Sequence, residues 1–144
     1  AEDGIRDRSP SRGLGDVYKR QAHIDTLLDG AGIDFAAVAT WIGVGGTATS
    51  LSALHQRLPA YDRVKVHGSA MTRVELHDLT QSLLTSTVEQ VRALPSMHPK
   101  RADVICAGAL IADRVGARMP VDLTISESDI LDGIALRLLH SPAP

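Results

Sequence analysis

The stretch that decides the fold is residues 41–54, WIGVGGTATSLSAL, in which one type of periodicity gives way to another at two adjacent glycines. Residues 40–44 are apolar and rich in aromatic and β-branched side chains, a composition typical of a buried strand in a parallel sheet. Gly45 and Gly46 end that run, and from Thr47 onward apolar residues recur at helical spacing until a proline closes the segment. The stretch therefore predicts a strand, a glycine turn and a helix.

The turn between this strand and helix is a candidate anion site. Free backbone N–H groups and the helix dipole favour negative charge at such a helix start, and glycines let a phosphate approach the backbone. Thr47, Thr49 and Ser50 add hydroxyl groups, but no lysine follows as in a Walker A loop, which argues against P-loop nucleotide binding. The same pattern is explained if Gly45 and Gly46 only form a tight turn against which the helix packs. Spacing alone leaves both interpretations open.

Outside this stretch the chain predicts more helices than strands. Residues 23–39 predict a helix interrupted at residues 30–32, and residues 101–115 predict a helix that packs on the sheet, with Gly108 as a point of close approach. Capping-box spacing at residues 72–75 and 86–89 predicts two successive helices, one starting at each box.

The second predicted strand is residues 121–125, which alternate as a half-buried strand does, and Ser126 or Ser128 is expected to cap a last helix. The predicted order is helix, strand, four helices, strand, helix. Two strands are fewer than a typical sheet contains. We therefore expect the sheet to gain neighbours from sequence outside the chain.

Composition limits the classes of protein to which the chain can belong. Its 144 residues are 44% apolar and 22% charged, as expected of one globular domain. A net charge of −2 with scattered basic residues predicts no nucleic-acid interface, and no apolar run is long enough to predict a membrane span. Cys106 is the one cysteine and lies in an apolar run, so it predicts core packing and no disulfide or thiolate metal site. We expect a cytoplasmic protein.

The first 21 residues differ in composition from the rest. They have no apolar period and are crowded with charges, glycines and a proline, which predicts disorder. Residues 16–21, DVYKRQ, are a translation of GAT GTG TAT AAG AGA CAG, which resembles the transposase mosaic end used in sequencing libraries. We interpret residues 1–21 as a non-native, adapter-like segment. We expect a truncated protein whose native sequence here is residues 22–144.

Five tracts further along the chain form a recognisable series. They are WIGVGGTATSLSAL at 41–54, VKVHG at 64–68, HPKRADVI at 98–105, GA at 108–109, and ISE with DILDGI at 125–127 and 129–134. In this order they resemble the landmarks of the Ppx/GppA family, in the form common in short actinobacterial members. The resemblance covers nearly all of residues 22–144.

This resemblance implies the C-terminal lobe of an exopolyphosphatase or guanosine pentaphosphate phosphatase. The implied fold is α/β, an RNase H-like lobe of the actin-like, hexokinase-like (ASKHA) phosphotransferase class. The implied reaction is Mg²⁺-dependent release of the terminal phosphate of inorganic polyphosphate or guanosine pentaphosphate, in a cleft between two lobes. The metal ligand and the catalytic glutamate would lie upstream of Ala22. We therefore predict no catalytic and no metal-binding residue in this chain, and expect it to be inactive alone.

The same resemblance implies a substrate-binding wall. Gly45, Gly46 and Thr47 would line the cleft, and Arg101 would contact a polyphosphate chain or guanosine phosphate, although a solvated helix start also explains Arg101. Many family members carry Arg and Glu where this chain has Leu131 and Asp132, so that arginine contact does not transfer. The six histidines show no spacing that predicts a zinc site.

Three functions are weighed from the sequence. The first is half of a phosphoanhydride hydrolase, and the second is a lobe that binds an alarmone or polyphosphate without hydrolysis. The third, a lobe of a related sugar kinase, fits the later tracts less well. The sequence allows a homodimer without specifying one.

Overall fold

A computed structural model describes residues 10–140, with side chains from residue 15 onward. The chain divides into two units, residues 1–33 and residues 34–144. The first contains helix α1 (Pro10–Asp29). The second contains three strands and six α-helices within its described part: β1 (Trp41–Val44), α2 (Gly45–His55), α3 (Arg63–Val66), β2 (Ala70–Met71), α4 (Arg73–Thr85), α5 (Val88–Arg92), α6 (Ile105–Gly116), β3 (Leu123–Ser126) and α7 (Ile130–His140). Short 3₁₀ turns occupy Phe35–Ala37 and Pro99–Arg101.

Helix α1 differs from the disorder predicted for residues 1–21. Residues 10–21 are helical and continuous with the rest of α1, while residues 1–9 lie outside the described part of the chain. The segment from residue 16 to residue 29 contains neither glycine nor proline, so a helix can extend through it without an apolar period. The non-native origin of residues 1–21 stays a prediction.

The three strands form one mixed sheet in the order β1-β3-β2. Strand β1 pairs with β3 in parallel, with Trp41 opposite Leu123 and Val44 opposite Ser126, which confirms the predicted parallel pairing. Strand β2 pairs with β3 in the antiparallel sense. Because β1 and β3 are parallel, both end at the same edge of the sheet.

Strand β1 was predicted to be a buried strand, but within the described part of the chain only one of its faces is covered. Ile42 and Val44 are 55% and 54% exposed, while Trp41 and Gly43 turn toward the helices. Alternation in β3, where Leu123 and Ile125 are buried, is confirmed.

The core lies between the sheet and three helices. Helix α2 packs on β1 and β3, and α6 packs chiefly on α4 and α2 rather than on the sheet. Leu51 of α2, Leu76 of α4 and Ile105 of α6 are each at most 1% exposed. This packing fixes the start of α2 at the edge where β1 and β3 end.

Side-chain caps set the starts of α4 and α5. Thr72 and Glu75 form the predicted capping box, and Thr87 and Gln90 form a second one. The second box begins one residue later than residues 86–89 predicted, because Thr87 rather than Ser86 accepts from the helix backbone. No helix of the described residues is both long and apolar enough to cross a membrane.

Candidate functional site

A cavity of about 580 Å³ lies at the edge of the sheet where β1 and β3 end. Gly45, directly after β1, and Glu127, directly after β3, both line it. Ligands of open α/β sheets bind outside the carboxyl ends of parallel strands, so the position itself favours a binding site. The 3₁₀ turn Pro99–Arg101 and the loop around Tyr61 complete the wall.

The glycine turn forms the floor of this cavity. Gly45 has a φ of +78°, a conformation that a residue with a side chain adopts only at a cost. Val44, the N-cap of α2, provides no side-chain cap, so the first N–H groups of α2 receive no hydrogen bond from a capping side chain. Donors at the start of a helix favour an anion.

Arg101 lies directly on this turn. Its Nη1 donates to the carbonyl oxygen of Gly46 and to Oγ of Ser50, each at 3.0 Å. A Cβ placed on Gly46 would lie 2.5 Å from Cζ of Arg101, so only glycine lets the guanidinium approach so closely. The fold thus brings Gly45, Gly46 and Arg101, all predicted from the sequence, to one place.

Thr47 lies elsewhere. It is exposed, does not line the cavity, and its side chain lies against Gly108. A Cβ on Gly108 would be 2.6 Å from Cγ2 of Thr47, so the close approach predicted at Gly108 is made by a side chain. The hydroxyl residues of α2 that line the cavity are Thr49 and Ser50, three and four residues after Gly46 and therefore on the same face of the helix.

The opposite wall is built around Glu127. Its carboxylate accepts a hydrogen bond from the Tyr61 hydroxyl and lies 3.4 Å from Nε of Arg63. Its backbone N–H donates to Nδ1 of His67 at 3.1 Å. No local pattern in the sequence indicates a role for Tyr61, and Glu127 stands out there only as part of the ISE tract. Contacts across 66 residues of chain, as between Tyr61 and Glu127, leave no local signal.

The environment of Tyr61 raises the pKa of its hydroxyl above the ordinary tyrosine value. Partial burial is the main cause, and the hydrogen bond to Glu127 acts in the same direction. The hydroxyl of Thr49 and the charge of Arg101 lower the pKa, but by less. Tyr61 is therefore neutral at physiological pH and acts as a donor toward the carboxylate.

Comparison with known proteins identifies the family. A family model described as the Ppx/GppA phosphatase family matches residues 15–141. The chain belongs to this family. The family predicted from the five tracts is thus confirmed.

Two kinds of relative support the assignment. Exopolyphosphatase 2 of Mycobacterium tuberculosis is 46% identical over 104 residues, which are 69% of this chain and 33% of that protein. An exopolyphosphatase-like protein of known structure superposes with a TM-score of 0.79 at 30% identity, over 85% of this chain and 43% of its own. A Ppx/GppA family member from Aquifex aeolicus gives 0.77 at 25% identity, over 88% of this chain and 42% of its own.

These likenesses confirm the predicted fold class, an α/β lobe of the actin-like class. The chain spans about one third of the length of the curated relative described above, and about two fifths of the solved Ppx/GppA-type structures.

In this Ppx/GppA lobe the turn after β3 differs from the predicted one. Ser126 does not cap α7, and its Oγ instead donates to the carbonyl oxygen of Ser128. Asp129 takes the capping place, since its side chain accepts from the N–H of Leu131 while Asp132 accepts from the N–H of Asp129. An aspartate is as good an N-cap as a serine, and Asp129 directly precedes α7. Ser126 still lines the cavity.

The donor set of this Ppx/GppA lobe does not fit a metal ion by itself. Residues 10–140 contain no group of three or more His, Cys, Asp or Glu side chains that could hold one. In the cavity wall, Glu127 already pairs with Tyr61 and Arg63. Magnesium keeps oxygen ligands and several waters, and one engaged carboxylate with Asp129 nearby does not supply such a set.

Proposed function

We propose that this chain belongs to a phosphoanhydride hydrolase that releases the terminal phosphate of inorganic polyphosphate or guanosine pentaphosphate, and that its cavity is one wall of the substrate site. The observation that carries the proposal is the guanidinium of Arg101 lying on the Gly45–Gly46 turn at the start of α2. Membership of the Ppx/GppA family and likeness to an exopolyphosphatase support the reaction class.

The chemistry of the wall suits a phosphate group. Backbone N–H groups at a helix start and a guanidinium both donate to phosphate oxygens, and charge-assisted bonds of this kind are about twice as strong as neutral ones. The net charge of the chain is −2, so attraction for a polyanion must come from this local arrangement rather than from the overall charge.

Hydrolysis needs a water-activating carboxylate, and both carboxylates that line the cavity, Glu127 and Asp129, already accept hydrogen bonds within the chain. A carboxylate must activate water, and Mg²⁺ neutralises charge on the transferring phosphoryl group. The cavity carboxylate Glu127 is held by Tyr61 and Arg63. We propose that the water-activating carboxylate and the ligands of Mg²⁺ lie outside this chain, which binds substrate without turning it over.

The test compares the 144-residue chain with a longer protein that contains it. Release of phosphate from polyphosphate and from guanosine pentaphosphate is measured with Mg²⁺ and with a chelator. We expect Mg²⁺-dependent release from the longer protein only, and a loss of at least about tenfold in kcat/KM in its Arg101→Ala variant. Release of phosphate by the 144-residue chain alone would contradict the proposal that the catalytic groups lie outside it.

The second candidate is a lobe that binds an alarmone or polyphosphate without hydrolysis. It is favoured by the two carboxylates of the cavity, since Glu127 is engaged by Tyr61 and Arg63, and Asp129 accepts from the backbone of α7. The same experiment separates the two functions. Tight binding of either substrate by the longer protein, with no phosphate release under any metal condition, would establish the binding function.

A further inference from the structure

The guanidinium of Arg101 donates hydrogen bonds to two acceptors of the protein. Both hydrogen bonds leave from the same nitrogen, Nη1, and end on the carbonyl oxygen of Gly46 and on Oγ of Ser50. The Gly46 acceptor is backbone and is present whatever the sequence. The Ser50 acceptor is a side-chain hydroxyl on a residue that is 3% exposed, and it exists only because position 50 is a serine.

The two remaining nitrogens of the guanidinium are left for a ligand. Within residues 10–140, neither Nε nor Nη2 of Arg101 meets a hydrogen-bond acceptor, and Arg101 lines the cavity. Nε and Nη2 form the fork with which arginine binds two oxygens of one phosphate. A guanidinium fixed through Nη1 therefore keeps its bidentate edge, which lies beside Gly46, free of protein acceptors.

We propose that Ser50 is a positioning residue, which orients the Arg101 fork toward a phosphate of the substrate without contacting that phosphate itself. The inference rests on the proposed function and deepens it. Arginine has many rotamers, and binding must suppress them unless the free protein has already done so. One buried hydroxyl that accepts from Nη1 removes that freedom before substrate arrives.

A neighbouring serine gives a matched control. Ser52 lies on the same helix and is 1% exposed, and its hydroxyl bonds to Ser69 and Gln56 but not to Arg101. Ser50→Ala and Ser52→Ala each remove one buried hydroxyl from α2. A purely structural role predicts similar consequences for both variants, whereas a positioning role predicts an effect on the ligand from Ser50 alone.

The first measurement is calorimetric titration of the 144-residue chain with tripolyphosphate, the defined probe for a polyphosphate end. We expect Ser50→Ala to weaken binding about tenfold, because one hydrogen bond to a charged donor is lost. Ser50→Thr, which keeps the hydroxyl, should restore affinity, and Ser52→Ala should leave it unchanged. In an Arg101→Ala background, Ser50→Ala should have no further effect. An equal effect in that background would overturn the proposal.

A second measurement does not depend on binding. Nitrogen-15 NMR of Arg101 in the free chain reports rotation about the Cζ–Nη bonds, which the two hydrogen bonds at Nη1 should slow. Ser50→Ala should speed this rotation and Ser52→Ala should not. Unchanged rotation in Ser50→Ala refutes the positioning role. If Ser50→Ala does not fold, Ser50→Cys, with a weaker acceptor of similar size, takes its place.

The two measurements separate the possible failures. A wild-type chain that does not bind tripolyphosphate, but whose Arg101 rotation responds to Ser50, contradicts the proposed binding wall and leaves the positioning contact in place. A chain that binds tripolyphosphate with equal affinity in wild type and in a folded Ser50→Ala variant contradicts the inference about Ser50 only.

Discussion

At the scale of single residues, the proposed phosphate wall depends on the contact between Gly46 and Arg101. The two residues are 55 positions apart, and the guanidinium occupies the space that a side chain at Gly46 would take. The helix start gains a cation close to its own N–H donors. Gly46 and Arg101 are therefore structurally coupled, and changing either residue should change the proposed anion site.

The first prediction concerns Gly46→Ala. The new methyl group would lie 2.5 Å from Cζ of Arg101, so the guanidinium must leave the turn. We expect affinity for tripolyphosphate to fall about tenfold, as when a charged hydrogen bond is lost. The free energy of unfolding should stay within about 1 kcal/mol of wild type, since better helix propensity offsets the displaced side chain. Titration calorimetry and urea denaturation measure the two quantities.

The control for this change is Gly133→Ala in α7, where nothing lies within 4 Å of the added methyl. It makes the same chemical change in a helix away from the cavity and should leave tripolyphosphate affinity unaltered. Unchanged affinity in Gly46→Ala would show that binding of tripolyphosphate does not depend on the contact between Arg101 and the turn.

Some residues of the site could be predicted from the sequence and others could not. Gly45 and Gly46 carry a local signal, the end of an apolar run and the start of a helical one. Thr49 and Ser50 could have been preferred over Thr47 from helical spacing, because three and four residues after Gly46 is the same face. The role of Tyr61 could not have been predicted from the sequence, since its contact with Glu127 depends on tertiary folding.

At the scale of elements, two equivalent capping boxes provide a comparison within one molecule. Thr72 and Glu75 start α4, and Thr87 and Gln90 start α5. Each threonine accepts from the backbone N–H three residues on, at 3.2 Å in both cases. The reciprocal bond differs, because it goes to a carboxylate in α4 and to an amide in α5.

The second prediction follows from that difference. The hydrogen bonds from Thr72, the backbone one first, lower the pKa of Glu75. A lowered pKa in the folded state stabilises the protein above the unfolded pKa, and this contribution is lost as pH falls through the folded pKa. Thr72→Ala keeps the backbone donor to Glu75 and removes only the hydroxyl, so it should cost about 1 kcal/mol near neutral pH, as a lost N-cap does, and somewhat less in acid. Thr87→Ala should cost a similar amount at both pH values.

Urea denaturation at pH 7 and pH 3.5 measures these costs. Glu75→Gln keeps an acceptor that does not titrate, and in that background the cost of Thr72→Ala should become independent of pH. A Thr72→Ala cost that is the same at both pH values in the otherwise wild-type chain would show that the Thr72 hydroxyl does not stabilise the Glu75 carboxylate.

The elements themselves were predictable to the extent that they are long. Strand β1, helices α2, α4 and α6, and strand β3 follow from periodicity within a few residues of their observed ends. Strand β2 has two residues and pairs only because β3 lies beside it, so no local pattern indicates it. The exposed face of β1 was not predictable either, since the sequence of a strand does not say which of its faces other elements will cover.

At the scale of the whole molecule, much apolar surface is left open within the described part of the chain. Every residue of α7 is exposed, and Leu131, Leu138 and Leu139 are 70%, 72% and 79% exposed. Ile42 and Val44 of β1 add to this surface. Single exposed apolar residues are ordinary, but a helix without one buried side chain is not. Such surface is expected to associate when the chain is studied by itself.

The third prediction is therefore concentration-dependent self-association of the 144-residue chain, driven in part by α7. Sedimentation velocity from micromolar to hundreds of micromolar should show growing oligomers in wild type. Leu131→Glu with Leu138→Glu should shift that growth to higher concentration, since two carboxylates must be desolvated in any apolar contact. Val64→Glu with Val74→Glu makes the same change in charge at two exposed positions on α3 and α4, and should shift it less. An equal shift in both pairs would assign the effect to net charge, and a monomer at every concentration would show that the open apolar surface does not drive association.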